Sequence, residues 1–327
     1  MKIVQIGNAG HASYAYPGIK AHNIDFAGLS AGSAGIEAEG TAAYLESLKR
    51  RGFSPKLYSD WKEMLEIEKP DIAIVDPWFN DHGKIALYAL ENRINVFCDK
   101  PVATDFETLE KIEKCSKARL AAMFETRVNP AFKAAKRAID EGKIGKVRMM
   151  DSRKSYKLGK RPAFYSSRET YCGIIPWVAI HAIDWMKWLS GEHYTEVVGA
   201  ALSRLDNGKN GDMDITSSAQ FMMTNDVIAT VTADMYRPMS APTHGDDRVR
   251  VVGTKGIVEV TAGKATLISD EAGGVIELPN EPEGDIFEDF LARLSGESNH
   301  LTKESCIEST YWALKADERA AERYNLS

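Results

Sequence analysis

Two residues have the type and setting for acid–base or charge-stabilising chemistry. Lys100 lies in Phe97-Cys98-Asp99-Lys100-Pro101, between an apolar run and a helical pattern. If that run is a parallel strand, Lys100 sits at its carboxyl end, where open α/β sheets hold their ligands. An ammonium there can hydrogen-bond a reacting oxygen and stabilise developing negative charge. A lysine beside a helix N-terminus is electrostatically awkward, which weakens a purely structural reading. His181 is the second. Imidazole titrates near neutral pH and can take a proton from a hydroxyl. Taken alone, a buried histidine bonded to a backbone carbonyl is the stronger reading of His181. Asp184 falls one helical turn later and can face the same side, either to orient the ring or to pair with a structural donor.

A third feature is the turn Gly7-Asn8-Ala9-Gly10-His11-Ala12, which follows the first apolar run. The dinucleotide fingerprint G-x-G-x-x-G/A uses small residues so that the backbone can approach a pyrophosphate. Gly7 and Ala12 fit its first and third positions. Ala9 replaces the second glycine, with Gly10 beside it. His11 could touch phosphate or cap the turn. The second run ends Leu29-Ser30-Ala31-Gly32-Ser33 without the acid that grips a ribose 2′-hydroxyl in NAD sites. Ser30 and Ser33 could donate to a hydroxyl or a phosphate, and Lys49, Arg50 or Arg51 could fold back as a clamp. The cofactor expected is therefore NADP or NAD, with a slight preference for NADP.

The elements that must position these groups change character along the chain. Strand patterns at Lys2–Ile6, Ile24–Leu29, Asp71–Val75, Asn95–Cys98 and Leu120–Phe124 alternate with helical patterns at Ala38–Arg51, Trp61–Glu66, His82–Glu91 and Phe106–Lys117. Such alternation predicts a parallel sheet with right-handed crossovers. After a helix at Pro130–Glu141, strand patterns come in series: Val147–Tyr156, Glu196–Leu205, Thr216–Met223, Val227–Met235, Arg248–Val252, Ile257–Val260, Ala265–Ile268 and Val275–Leu278. Their short turns predict a mostly antiparallel sheet. One helix, near Ile175–Ser190, interrupts the series, and helices near Phe287–Leu294 and 303–324 close the chain. The expected division is a dinucleotide-binding domain over 1–125 and a substrate-binding and oligomerisation domain over 126–327.

Composition narrows the classes. Hydrophobic residues make up 44% and charged residues 27%, the formal net charge is -6, and the 41 basic residues form no block. A disordered chain or fibrous rod is excluded, and a nucleic-acid footprint is not expected. No apolar stretch approaches a membrane span. Four irregularly spaced cysteines fit a reduced, cytoplasmic protein. No metal-ligand spacing is present.

Taken together, several motifs resemble the Gfo/Idh/MocA family of NAD(P)-dependent oxidoreductases. Asp99-Lys100-Pro101 resembles its E-K-P motif, with Asp for Glu. His82-Gly83-Lys84-Ile85-Ala86 resembles its H-x-x-x-A helix start. Phe124–Phe132 resembles its domain-crossing segment, followed by Ile144-Gly145-Lys146-Val147. His181-Ala182-Ile183-Asp184 with Trp188-Leu189-Ser190-Gly191 resembles its H-x-x-D…WL-x-G helix, and Gly253-Thr254-Lys255-Gly256 its late G-T-x-G turn. The motifs span nearly the whole chain in the family's order.

The resemblance implies a Rossmann domain (a doubly wound parallel sheet) plus an α+β domain with a large open, mostly antiparallel sheet. It also implies hydride transfer between nicotinamide and a secondary alcohol or ketone of a sugar or cyclic polyol. Within it, Lys100 and His181 become the catalytic pair, and Pro101 could carry a cis bond. Pro77, Trp78, Asn80, His82, Asp99, Lys100 and Pro101 would line the cofactor. Arg153, Tyr165 and Trp177 would join Lys100 and His181 around the substrate. The chain departs from the family where an aspartate is common four residues before the histidine: Trp177 stands there, and it cannot accept a proton. Tyr156, Tyr165 or Glu169 could supply the missing group. Alternatives are a cofactor-binding protein without turnover, or a redox-assisted lyase, epimerase or glycosidase. An open sheet needs its outer face covered, and the resemblance implies a homodimer or homotetramer.

Overall fold

The computed structural model describes residues 1–32, 36–297 and 301–322. Contacts divide the chain into two units. The first holds Met1–Met123, Glu169–Tyr171 and Asp285–Thr310; the second holds Phe124–Arg168, Cys172–Gly284 and Tyr311–Ser327.

The first unit is built on β1 (Lys2–Ile6), β2 (Asp25–Ser30), β3 (Lys56–Tyr58), β4 (Ile72–Val75), β5 (Asn95–Cys98) and β6 (Leu120–Ala122). All neighbours pair in parallel, in the order β3-β2-β1-β4-β5-β6. β4 is buried along its whole length, as expected for a sheet with helices on both faces. The crossovers carry α1 (Tyr16–Ala21), α2 (Ile36–Arg50), α3 (Trp61–Glu68), α4 (Phe79–Glu91) and α5 (Phe106–Lys114). Two of these elements carry little sequence signal. β3 is a three-residue edge strand with two exposed side chains, and α1 contains Pro17 and Gly18, ordinarily breakers. Pro17 is tolerated because it lies in the first turn. α3 and α5 start on aspartate caps: Asp60 accepts from the Glu63 N–H at 2.8 Å and Asp105 from the Thr108 N–H at 2.7 Å.

The expectation assigns everything after residue 125 to the second half, but residues 285–297 and 301–310 pack with the first unit. The rings of Phe287 and Phe290 lie 5.2 and 5.4 Å from that of Phe97 on β5. Cys306 Sγ accepts the Ala122 N–H at 3.3 Å, and Lys303 Nζ caps the end of α5 through the Glu113 and Cys115 carbonyls. Aromatic burial and capping recruit this segment; neither is visible in local pattern.

The second unit contains α6 (Pro130–Asp140), β7 (Val147–Tyr156), α7 (Arg168–Tyr171, shared with the first unit), α8 (Ile180–Ser190), β8 (Tyr194–Ser203), β9 (Thr216–Met223), β10 (Val227–Asp234), β11 (Gly245–Gly253), β12 (Gly256–Thr261), β13 (Lys264–Ser269) and β14 (Gly274–Leu278). Helices α9 (Ile286–Leu294) and α10 (Lys303–Glu322) complete the chain. The eight strands run β14-β13-β12-β11-β7-β10-β9-β8. Every pair is antiparallel except β10 with β7. α6 and α8 cover one face of this sheet, with Phe132 and Trp185 in ring contact at 4.9 Å. The helix expected from Ile175 is not uniform: Ile175–Ala179 form a wider π-helical turn before α8 begins. That turn changes the phase between positions 177 and 181.

Candidate functional site

In the first unit, the strand order reverses between β1 and β4, and the glycine turn lies at that switch point, where such sheets bind ligands. The Gly7 N–H donates to the Ser30 carbonyl at 2.8 Å, and the Asp76 N–H to that of Ile6 at 2.8 Å. Gly7 has φ +82°, and a Cβ there would stand 2.2 Å from Pro77 Cα. Only glycine meets both demands. At Gly10 a Cβ would fall 1.8 Å from an Asp99 carboxylate oxygen and 2.8 Å from one of Asp76. The imperfect fingerprint is thus complementary to its own surroundings: glycine is needed at position 10 because two carboxylates close in on it. We expect Gly10→Ala to cost about 1–3 kcal/mol by overpacking. Thermal unfolding and a cofactor fluorescence titration would both register the change; unchanged values in both would refute the close approach.

Asp76 was not singled out in the sequence, yet it organises the turn. Its carboxyl accepts the N–H groups of His11 at 3.2 Å and Ala12 at 2.9 Å. Burial, then the charge of Asp99, push its pKa well up, against the pull of those N–H bonds. Burial also works against the Asp99 carboxylate, but the charges of His11 and Lys100 outweigh it and hold that group below the usual range. Of the two, Asp99 is the better placed to carry the negative charge. His11 Nδ1 lies 3.1 Å from both Asp99 oxygens, which places the ring on Asp99.

Lys100 is fully buried just past β5, with Nζ 5.7 Å from the Phe79 ring centre. Its backbone N–H donates to Asp99 Oδ1 at 2.8 Å, and the Lys100–Pro101 bond is cis. His82 takes another role than the one expected. It lies on α4, which begins at Phe79, and its two ring nitrogens face the carbonyls of Pro101 at 2.7 Å and Pro77 at 3.0 Å. It is fully buried, and burial pushes its pKa down. The neutral ring has one N–H to donate to one of these carbonyls; it lies between the loops after β4 and β5 and is not presented to a ligand. Asn80 is exposed on the same helix, and Trp78 is its N-cap residue.

Ser30 is buried, and its Oγ donates to the Ala31 carbonyl at 3.1 Å; Ser33 lies outside the described residues. The basic residues proposed to fold back toward Ser30 do not. α2 is a crossover helix of 15 residues, so its end lies about 22 Å from its start, toward the amino ends of the strands. There Lys49 pairs with Glu46 at 2.7 Å, and Arg51 covers the Tyr16 ring at 5.7 Å.

In the second unit, α8 presents His181, which is 1% exposed, next to Phe124 at a ring separation of 6.2 Å. One turn later, Asp184 accepts from Arg127 Nε at 2.8 Å and Nη2 at 2.5 Å. That bidentate pair is fully buried. A carboxylate facing the imidazole is Glu125, whose Oε2 lies 3.6 Å from His181 Nδ1. Lys154 Nζ is 3.9 Å from Glu125 Oε1 and 2.8 Å from Asp247 Oδ2. Burial disfavours the Lys154 ammonium, but Tyr156, Asp247 and Glu125 together push its pKa up.

Strand alternation separates Lys154 from its neighbour Arg153. Ser152 Oγ accepts from Trp185 Nε1 and Lys154 lies over the Trp185 ring, so even positions of β7 face α8. Arg153 is exposed on the opposite face, beside Thr232, Arg248 and Arg250. The structure does not bring it to His181. Tyr156 stacks on His244 at 4.8 Å, and burial pushes its phenol up to about 12. It keeps its proton near neutral pH and cannot replace a carboxylate as acceptor. Trp177 and Tyr165 are both buried, with ring centres 4.5 Å apart and the Arg161 guanidinium 5.1 and 5.7 Å from them. Those faces are used internally. Arg168 bonds Asp214 and Asp317, and Glu169 groups with the first unit. Among the described residues, no group of three or more His, Cys, Asp or Glu side chains is placed to hold a metal, and no helix is long and apolar enough to cross a membrane.

A six-stranded parallel sheet in this order, with a glycine turn at its switch point, defines a Rossmann-type dinucleotide-binding fold. The chain belongs to the Gfo/Idh/MocA family: residues 9–125 match the oxidoreductase family's NAD-binding Rossmann fold and residues 132–259 its C-terminal domain. It is 26% identical over 236 residues to a myo-inositol 2-dehydrogenase of Thermotoga maritima, covering 70% of this chain and 68% of that one. It is 30% identical over 167 residues to an inositol 2-dehydrogenase of Rhizobium meliloti, covering 50% of this chain and about half (48%) of that protein. A solved structure of a putative oxidoreductase from Thermotoga maritima superposes with TM-score 0.91 at 41% identity, over 98% of both chains. Levoglucosan dehydrogenase in complex with NADH and levoglucosan shares the fold, with TM-score 0.80 at 18% identity over 99% and 97% of the chains.

Proposed function

We propose that the protein is an NAD(P)-dependent dehydrogenase or reductase that interconverts a secondary alcohol and a ketone on a sugar, sugar derivative or cyclic polyol. The observation that carries this reading is Lys100, a lysine fully buried at the carboxyl end of a Rossmann strand, the place where open α/β sheets hold their ligands. The named relatives acting on inositols support the polyol class. The turn Gly7–Ala12 and Pro77 would hold the dinucleotide, since they lie at the switch point of the parallel sheet, where such sheets bind ligands. The bound nicotinamide supplies the hydride acceptor or donor. Lys100 hydrogen-bonds the reacting oxygen and stabilises its negative charge. His181 takes the hydroxyl proton during oxidation and returns it during reduction.

No acid ends β2 to repel a 2′-phosphate, which favours NADP over NAD. Fluorescence titration with NADPH and NADH decides this: tenfold tighter NADH binding would reverse the preference. Turnover is tested with a panel of inositols and sugars followed by nicotinamide absorbance. Lys100→Met should lower kcat by about 10²–10³-fold with cofactor affinity within a few-fold of wild type. Turnover unaffected by the substitution would remove Lys100 from the reaction. Trp177, packed on Tyr165 in place of an acid, favours a second reading, a cofactor-binding protein without net turnover. Tight dinucleotide binding with no substrate in the panel would select it.

The exposed face of the large sheet, with Met149 and Ile228 about a third exposed (37% and 38%) on adjacent strands, supports a homodimer or homotetramer. Light scattering at micromolar concentration would return a monomer if this is wrong. The four free thiols support a cytoplasmic location.

A further inference from the structure

We infer that Glu125 is the positioning carboxylate of His181, taking the place left by Trp177. This rests on the proposed role of His181 as the proton acceptor. Glu125 Oε2 is buried without a hydrogen-bond partner and lies 3.6 Å from His181 Nδ1. A buried carboxylate oxygen with no donor is costly. A shift of a few tenths of an ångström brings the two atoms within hydrogen-bond range. The carboxylate is acceptor-only, so the bond fixes the neutral ring with its proton on Nδ1. That leaves Nε2 as the basic atom for a substrate hydroxyl. When Nε2 takes that proton, the imidazolium sits against the Glu125 charge.

The charged groups around this pair come from four elements. Glu125 lies in the 3₁₀ turn Glu125–Val128. Its other oxygen faces Lys154 of β7, which is bonded to Asp247 of β11 and lies 5.1 Å from the Tyr156 ring centre. On α8, Asp184 is ion-paired with Arg127. One ammonium thus stands between two carboxylates, and Glu125 is the one that reaches the imidazole. Trp177 stacks on Tyr165 under Arg161, and Tyr156 holds its proton, so neither of these side chains supplies a carboxylate.

The experiment compares Glu125→Gln, Glu125→Leu and Glu125→Asp with His181→Asn in the full-length protein, using the fastest substrate of the panel. Glu125→Leu should lower kcat by about 10–100-fold and leave cofactor affinity unchanged. Glu125→Gln should move the acidic limb of the kcat/KM profile to lower pH by about one unit, because the imidazolium loses its counter-charge. Glu125→Asp should restore part of the rate. A second measurement needs no turnover: long-range ¹H–¹⁵N spectra of labelled histidine should show His181 as the Nδ1–H tautomer in wild type and lose that preference in Glu125→Leu. An unmoved pH limb and an unchanged tautomer, with His181→Asn inactive, would overturn the role of Glu125 while leaving His181 as the base. Wild-type turnover in His181→Asn would overturn both.

Discussion

His181→Asn should lower kcat by about 10²–10⁴-fold, the range supplied by a positioned general base. Asparagine keeps a polar group of similar reach but cannot hold a proton at neutral pH. Cofactor affinity should stay within a few-fold, because the glycine turn and Pro77 belong to the first unit and His181 to the second. The rate should fall with little change in KM, since an interaction made only as the proton moves is lost. Stopped-flow single turnover would separate this step from product release. A variant that kept wild-type kcat would return His181 to the buried structural reading that its sequence position alone favours.

The largest stability effect is expected at Arg127. Its guanidinium and the Asp184 carboxylate are 4% and 1% exposed, and they meet through two hydrogen bonds. Arg127→Met would leave a buried carboxylate without its counter-charge, at a cost of about 3–5 kcal/mol. The double variant Arg127→Met with Asp184→Leu should recover much of that loss, because removing both charges also removes the desolvation penalty. Denaturant unfolding of the two single variants and the double completes the cycle. A small effect in Arg127→Met would mean that the pair is more hydrated than its burial indicates. The same cycle tests the structural assignment of Asp184. Had it oriented His181 instead, Asp184→Asn would change the pH profile more than the stability.

Several features were legible in the sequence because their signals are local. The alternation of strands and helices, the glycine turn after the first strand, and the Asp99-Lys100-Pro101 corner each depend on neighbours a few residues apart. The switch from alternating elements to serial strands likewise marks the change from a parallel to a mostly antiparallel sheet. The positions of Lys100 at a strand end and His181 on a helix follow from these patterns. The short strand at Lys56–Tyr58 and the helix at Tyr16–Ala21 escaped, because one is too brief for a period and the other contains Pro17 and Gly18.

Which groups meet was decided by tertiary structure. Arg153 and Lys154 are adjacent and equally basic, and period-two alternation says only that they face opposite ways. Trp185 under Ser152 and Lys154 settles which one faces α8. Glu125 comes within 3.6 Å of His181 only because the 3₁₀ turn and α8 are packed together; no spacing rule links positions so far apart. Asp76 becomes an acceptor for the Gly10–Ala12 turn because parallel pairing of β1 with β4 sets their ends side by side. His82, which motif order places at a ligand, is enclosed between two carbonyls once the loops after β4 and β5 converge. Sequence by itself determined the fold class and the chemical types available, since both rest on local periodicity and residue identity. Only the packed chain set Glu125 beside the imidazole, because burial and long-range contact, not spacing, determine which charges meet.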